Sequence, residues 1–148
     1  MASSVPHHRV RLQEQAQDWT AAIRASAEPL LADGCITGDY VDAIFESFAT
    51  NGDYMIVVPE VVLAHARPEN GANQTGLSLL TLRTPVPFAP NPDKTITAVF
   101  TLAAADDEAH LALMRSLAEV LVDDAALARL LTSSDVDEVV TILGGEPR

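Results

Sequence analysis

Two short β-branched runs lie in the stretch Met55-Ile56-Val57-Val58-Pro59-Glu60-Val61-Val62-Leu63-Ala64, separated by a proline and a glutamate. Short apolar runs of this composition are typical of buried strands. Helical patterns come before these runs, and helical patterns return near the end of the chain. The order of helices, strands and helices predicts an α/β fold, with a mixed β-sheet sandwiched between helical layers in a single domain.

The N-terminal part predicts two helices. Apolar residues spaced by three and four predict the first over Glu14 to Asp33; Pro29 should kink or split it, and Gly34 should end it. Thr37 is expected to cap the second, with negative charge in its first turn. The apolar face of the second helix consists of Tyr40, Val41, Ile44, Phe45 and Phe48.

Residues 1–13 are polar and slightly basic, and we expect them to form a flexible leader ahead of one domain over residues 14–148. His7 and His8 in this leader are interpreted as solvated side chains. Turn residues are expected to end the second helix at Asn51-Gly52-Asp53 and the last helix at Gly144-Gly145.

Beyond the central runs, Leu77 to Leu82 predicts a strand, and Ile96 to Leu102 predicts another from its alternating pattern. The proline-rich link from Pro85 to Pro92 should be neither a central strand nor a helix. Three helices should follow: one starting near Asp106 to Glu108, one over Ala125 to Leu131, and one over Asp135 to Leu143, capped by Ser133 or Ser134.

Charge and composition exclude some classes of function. The formal charge is −12, which disfavours binding to nucleic acid and to anionic membrane surfaces. No apolar run approaches the length of a membrane span, and no apolar signal segment is present, so we expect a cytoplasmic protein without direct membrane insertion. The single cysteine, Cys35, cannot form an internal disulfide and is interpreted as a small buried hydrophobe.

Three residues are candidates for chemistry. His65 stands where an apolar strand meets a polar loop, and imidazole is a good nucleophile at neutral pH. His110, at the start of a predicted helix, can hydrogen-bond a phosphoryl group on His65, with backbone N–H groups of the helix beside it. Arg67 can clamp a phosphate. Each has a structural alternative: a backbone-bonded strand-end histidine, a histidine at a buried edge, and an arginine paired with Glu69 or solvated.

Other chemistries find little support. Two histidines without a third ligand at a recognisable spacing make a poor metal site, and we predict none. The chain has no phosphate-binding glycine loop, no dinucleotide fingerprint and no nucleophile elbow.

The segment Val61-Val62-Leu63-Ala64-His65-Ala66-Arg67-Pro68-Glu69-Asn70-Gly71 resembles the active-site segment of the mannitol/fructose-type (type-2) EIIA components of bacterial sugar phosphotransferase systems. The stretch from Phe100 to Leu111, an apolar strand with an acidic turn and His-Leu, is similar to a second motif of that family. The likeness is greatest to the ascorbate-type branch. Three departures stand out: Glu60 where many relatives carry glycine, Ala64 where they carry proline, and no arginine in Phe45-Glu46-Ser47-Phe48.

The resemblance implies an activity and partners. It implies a phosphotransferase that accepts a phosphoryl group on His65, stabilised by His110, from the carrier protein HPr. It implies transfer to a cysteine of EIIB, which serves the membrane permease EIIC, with no cofactor, and it leaves a homodimer open. The alternative is an EIIA-like regulatory protein that senses phosphorylation state and binds protein partners without sugar transport.

Overall fold

The computed structural model describes residues 6–51, 55–91 and 93–143. The strands are β1 (Val10–Glu14), β2 (Ile56–Val58), β3 (Val61–Ala64), β4 (Gly76–Pro87) and β5 (Thr95–Ala103). The α-helices are α1 (Trp19–Ala32), α2 (Gly38–Asn51), α3 (Asp107–Leu121), α4 (Asp124–Thr132) and α5 (Val136–Ile142), and short 3₁₀ turns cover His7–Arg9 and Pro68–Asn70.

The strands form one sheet in the order β1-β4-β5-β3-β2. β1 pairs with β4 and β3 with β5 in parallel, whereas β4–β5 and β2–β3 are antiparallel. The predicted mixed sheet is therefore confirmed. Because β3 and β5 are parallel neighbours, their C-terminal ends lie at the same edge of the sheet.

Helices cover both faces of the sheet, as the sandwich prediction requires. α1 and α2 pack on one face, where Ile23, Leu30 and Ile44 are fully buried. α3, α4 and α5 pack on the other, where Leu113 and Leu130 lie in a second core. Each such side chain contributes roughly 1.5–3 kcal/mol by leaving water, so the two cores hold the sheet rigid between the layers.

α1 differs from its prediction at the N-terminal end. It begins at Trp19 because the Asp18 carboxylate accepts a hydrogen bond from the Ala21 N–H at 2.8 Å. Pro29 does not split the helix, which continues to Ala32. Gly34 ends it as predicted, with φ of +77° and the next N–H bonded to the Leu30 carbonyl at 2.9 Å.

The leader prediction is wrong for residues 10–13, which belong to β1. Val10 is buried and pairs with Leu79, along an edge of β4 that would otherwise lack a partner. Arg9 and His8 both bond the Asp33 carboxylate, at 2.7 and 2.6 Å, and His7 pairs with Asp137. These contacts hold the segment against α1 and α5, and they replace the solvated histidines that the sequence suggested; residues 1–5 lie outside the described residues.

β4 is longer than predicted, since it continues through Pro85 to Pro87, but this stretch is neither a central strand nor a helix, as predicted. β1 pairs only with Leu79 to Leu82 of β4, so the later residues of β4 pair with β5 alone. A proline is tolerated there because its missing N–H faces no second strand.

The cap of α5 is a further correction. The Asp135 carboxylate accepts the Asp137 N–H at 3.0 Å, whereas the Ser133 hydroxyl donates to Glu138 at 2.7 Å. The predicted turns at Gly52-Asp53 and Gly144-Gly145 lie outside the described residues. Within the ranges the structure covers, no helix is long and apolar enough to cross a bilayer.

Candidate functional site

His65 and His110 lie side by side at one edge of the sheet. His65 follows β3 directly, and β5 leads through a short turn into α3, whose first turn carries His110. The pairing of Ala64 with Thr101 brings these two chain ends together. The ring centroids are 5.5 Å apart, and the rings are inclined at 53°. The structure thus joins the two histidines that the sequence singled out separately.

The orientation of the His65 ring is set by its own backbone. Nδ1 lies 2.8 Å from the Leu63 carbonyl oxygen. A carbonyl oxygen only accepts, so Nδ1 carries the proton of the neutral ring and Nε2 holds the lone pair. A neutral imidazole in this tautomer presents Nε2 as its nucleophilic atom.

Burial favours that neutral form. Desolvation lowers the pKa of His65 below its ordinary value of 6.5, and the neighbouring His110 lowers it further, whereas the hydrogen bond to Leu63 acts in the opposite sense. At pH 7 the side chain is therefore an uncharged nucleophile.

A cleft of about 400 Å³ opens over the two rings. Its walls come from α2, from the loop after β3 and from the start of α3, so three elements meet at the reacting group. The lining residues are Ala43, Ser47, His65, Ala66, Arg67, Pro68, Asn70, Asp107 and His110.

Arg67 is exposed and lines this cleft, two residues after His65. Within the part of the chain that the structure describes, no ion pair joins Arg67 to Glu69. The pairing that the sequence offered as an alternative is therefore not observed, and Arg67 forms part of the wall of the cleft that contains His65.

The N-terminus of α3 is less open than the sequence suggested. The Asp106 carboxylate accepts the Ala109 N–H at 2.8 Å, and the His110 N–H bonds the Asp106 carbonyl at 3.1 Å. Those two N–H groups are used within the helix. The His110 side chain is therefore a better candidate than they are to donate to a group on His65. Asp107, three residues before His110, also lines the cleft. The sequence indicates it only as a helix-start charge, although a spacing of three puts it on the same helix face as His110.

α2 holds the loop that carries His65, a role that the sequence did not reveal. The Tyr40 hydroxyl accepts the Ala66 N–H at 3.0 Å. The Gly71 carbonyl accepts the Thr37 N–H at 3.0 Å, and a Cβ on Gly71 would lie 2.2 Å from the Thr37 hydroxyl oxygen. The helical pattern places Tyr40 on the apolar face of α2. Because a buried tyrosine hydroxyl needs a hydrogen-bond partner, its presence there indicates a polar contact behind the helix.

Two other expectations concern cofactors and the thiol. Cys35 is fully buried, as predicted, with Sγ 3.5 Å from the Arg9 guanidinium. Among the described residues, no three His, Cys, Asp or Glu side chains are grouped to hold a metal ion.

Glu60, one of the departures from the family pattern, lies in the turn between β2 and β3 with φ of +70°. This left-handed conformation favours glycine, which accounts for the residue found in many relatives. Here the Glu60 carboxylate accepts the Thr97 hydroxyl at 2.5 Å, and the turn lies at the opposite end of β3 from His65.

Comparison with known sequences gives consistent findings. The family described as "Phosphoenolpyruvate-dependent sugar phosphotransferase system, EIIA 2" matches residues 3–145. The mannitol-specific cryptic phosphotransferase enzyme IIA component of Escherichia coli K12 is 37% identical over 138 residues, covering 93% of each chain. The ascorbate-specific EIIA component of Salmonella typhi is 28% identical over 142 residues, covering 95% of this chain and 92% of that one.

Solved structures agree with this fold. A solution structure of the mannitol-specific cryptic enzyme IIA of Escherichia coli gives a TM-score of 0.87 at 36% identity, covering 97% of this chain and 98% of that one. Enzyme IIA for mannitol, solved in complex with phosphorylated enzyme IIB from the same organism, gives 0.81 at 24% identity, covering 95% and 96%. The predicted α/β sandwich therefore matches solved EIIA structures.

Proposed function

The chain belongs to the EIIA 2 family of the phosphoenolpyruvate-dependent sugar phosphotransferase system, and from that premise we propose that it carries the phosphoryl group on His65. The observation that carries this proposal is the pair of imidazoles 5.5 Å apart in one cleft, with Nδ1 of His65 bonded to the Leu63 carbonyl. That bond keeps the proton on Nδ1 and the lone pair on Nε2, which we propose as the acceptor atom.

The first step is transfer from the donor to His65. Nε2 of His65 attacks the phosphorus of phospho-HPr as the bond between phosphorus and the donor's nitrogen breaks. The transfer is in line and passes through a loose transition state. Nδ1 keeps its proton, so the product ring is cationic, and the Leu63 carbonyl stabilises it. No base is needed, because burial already keeps His65 uncharged.

His110 and Arg67 support the transferred group in this proposal. The phosphoryl group adds roughly −1.5 to −2 charges near neutral pH, by analogy with other phosphorylated side chains, and the chain is already strongly acidic. His110 and Arg67, which carry a ring N–H and a guanidinium, both line the cleft with His65. They would act on the oxygens, where the transition-state charge is spread.

The partners follow from the carrier role. Phospho-HPr is the proposed donor and a cysteine of EIIB the proposed acceptor; in the second transfer the Nε2–P bond breaks as an S–P bond forms. Support for EIIB comes from a solved structure with the same fold. That structure is enzyme IIA for mannitol in complex with phosphorylated enzyme IIB. The exchange would take place in the cytoplasm and serve an EIIC permease indirectly.

The sugar is proposed from two observations that differ. The motif around His65 favours the ascorbate branch, whereas the relative at 37% identity is named mannitol-specific, against 28% for an ascorbate-specific one. We retain ascorbate as the proposal. The test is to offer the EIIB proteins of both systems separately to the phosphorylated chain and to compare the rates of transfer. Faster transfer to the mannitol EIIB would replace ascorbate with mannitol as the proposed sugar.

Intact-protein mass spectrometry tests the carrier role directly. The chain is incubated with phosphoenolpyruvate, enzyme I and HPr at neutral pH, without acid, since phosphohistidine is acid-labile. We expect a gain of one phosphoryl group in the wild type and none in His65→Ala. His8→Ala is the matched control, because it removes another histidine, one that does not line the cleft, and it should gain the group as the wild type does.

Two outcomes would change the proposal. Phosphorylation that persists in His65→Ala would move the acceptor to another residue. A chain that is phosphorylated on His65 but passes nothing to any EIIB would instead be the regulatory protein that the sequence left as the alternative.

A further inference from the structure

Tyr40 makes an unusual set of contacts behind the cleft. Its side chain is fully buried, and its hydroxyl reaches two separate stretches of backbone. The hydroxyl accepts the Ala66 N–H at 3.0 Å and donates to the Leu102 carbonyl at 2.7 Å. A second carbonyl, that of Ala66, lies 3.1 Å away, so the proton is directed to the nearer Leu102 oxygen.

These two stretches carry the two histidines. Ala66 is the residue after His65, where the chain leaves β3. Leu102 is the second-last residue of β5, and β5 leads into α3 and His110. The hydroxyl therefore bridges the ends of two neighbouring strands, at the point where each delivers a histidine to the cleft.

The neighbouring backbone does not supply this link. The paired residues of β3 and β5 end with Ala64 and Thr101, so the ladder stops before His65 and before Leu102. Burial raises the pKa of the Tyr40 hydroxyl, so it remains protonated and keeps both its donor and its acceptor role at working pH.

We propose that Tyr40 is a positioning residue for phosphoryl transfer, whose hydroxyl bridges Ala66 and Leu102 and thereby fixes the separation of His65 and His110. This inference rests on the proposed function of His65 and adds a residue that does not touch the phosphoryl group. Its effect is on transfer rate, because a phosphoryl group held by one side chain after β3 and another in α3 needs both at a fixed distance.

Tyr40→Phe tests the bridge with the least change in shape. At saturating phospho-HPr we expect the single-turnover rate of His65 phosphorylation to fall about tenfold, with little change in the donor concentration for half-maximal rate, because the buried Tyr40 cannot meet the donor. Thr81→Val is the matched control: it removes another fully buried hydroxyl that accepts a backbone N–H, that of Gln13 at 2.9 Å, and Thr81 does not line the cleft. It should keep the wild-type rate.

A spectroscopic measurement separates positioning from general loosening. His110 contributes to the lowered pKa of His65, so rings held less closely should let the titration midpoint of His65 rise in Tyr40→Phe, as followed by nuclear magnetic resonance. The midpoint should not move in Thr81→Val. An unchanged rate and midpoint in a folded Tyr40→Phe protein would overturn the proposal, and equal losses in both variants would do the same.

Amide hydrogen exchange in the wild type keeps the test open if Tyr40→Phe does not fold. We expect the Ala66 N–H to exchange slowly although it lies in a loop, because the Tyr40 hydroxyl holds it. Exchange at the rate of an open loop would refute the bridge. A wild type that is never phosphorylated would refute the carrier function instead, and neither the exchange nor the titration depends on phosphorylation.

Discussion

The imidazole ring of His65 lies 5.5 Å from that of His110, centroid to centroid, although the two residues come from different strand ends. Two rings this close disfavour simultaneous protonation, because like charges repel. The partly buried His65 ring, whose pKa is lowered mainly by desolvation, is therefore neutral near pH 7, the form in which imidazole is nucleophilic. This arrangement suits a site that must accept an anionic group and then release it.

The lowered pKa of His65 predicts the pH dependence of phosphorylation. The rate should stay constant near neutral pH and fall only when pH drops through a midpoint below 6.5, the ordinary histidine value, because only the neutral ring attacks. Single-turnover rates of His65 phosphorylation from pH 5 to 8 would measure this midpoint. A parallel control should show that HPr itself does not change as a donor over the same pH range. A midpoint above 6.5 would contradict the effect of burial.

The same shift predicts how His65 affects stability. Its pKa is lower folded than unfolded, so between the two values the unfolded chain binds more protons. The contribution is fully present above the unfolded pKa and is lost as pH falls through 6.5 towards the folded pKa. Urea unfolding at several pH values should show this loss in the wild type and a smaller loss in His65→Gln; equal losses would show that His65 is not its source.

His110→Ala should slow phosphorylation of His65 by roughly ten- to a hundredfold, since it removes one donor to the developing charge. The His110 ring is only half-buried, so the free energy of unfolding should change by less than about 1 kcal/mol. Rapid-quench kinetics and urea unfolding give the two numbers, with His8→Ala as the control. Transfer at the wild-type rate would remove His110 from the mechanism.

Arg67→Gln should reduce the rate by about three- to tenfold, a smaller effect because the guanidinium is exposed and screened by solvent. The difference from the wild type should shrink as salt concentration rises. Arg83→Gln is the matched control, since Arg83 is also exposed but does not line the cleft. Equal effects of the two changes would mean that only overall charge matters.

Gly71→Ala should destabilise the protein by about 2 kcal/mol and slow transfer, because φ is +128° and the new Cβ would lie 2.2 Å from the Thr37 hydroxyl oxygen. Gly38→Ala, in the first turn of α2, meets no neighbouring atom and should be neutral or slightly stabilising. Thermal unfolding and the transfer assay would compare them. A Gly71→Ala protein as stable as the wild type would show that the loop can move away from α2.

Much of the fold could be predicted from local pattern. The helical period of the residues around Ile44, the alternation along β5 and the short apolar runs of β2 and β3 each specify an element without reference to the rest of the chain. The errors came where pairing overrides local signals. β1, with the sequence VRLQE, is mostly polar and is specified by its pairing with β4, and β4 can continue through its prolines because only one neighbour pairs there.

The sequence by itself determined the family, the layer order and the identity of His65, His110 and Arg67 as candidates, because residue types and their order along the chain carry that information. Only the tertiary structure decided that the two histidines meet, that Nδ1 of His65 is occupied, and that Tyr40 bridges the strand ends behind them. Parallel pairing and burial join residues far apart in the chain, and no local periodicity encodes which of them will touch.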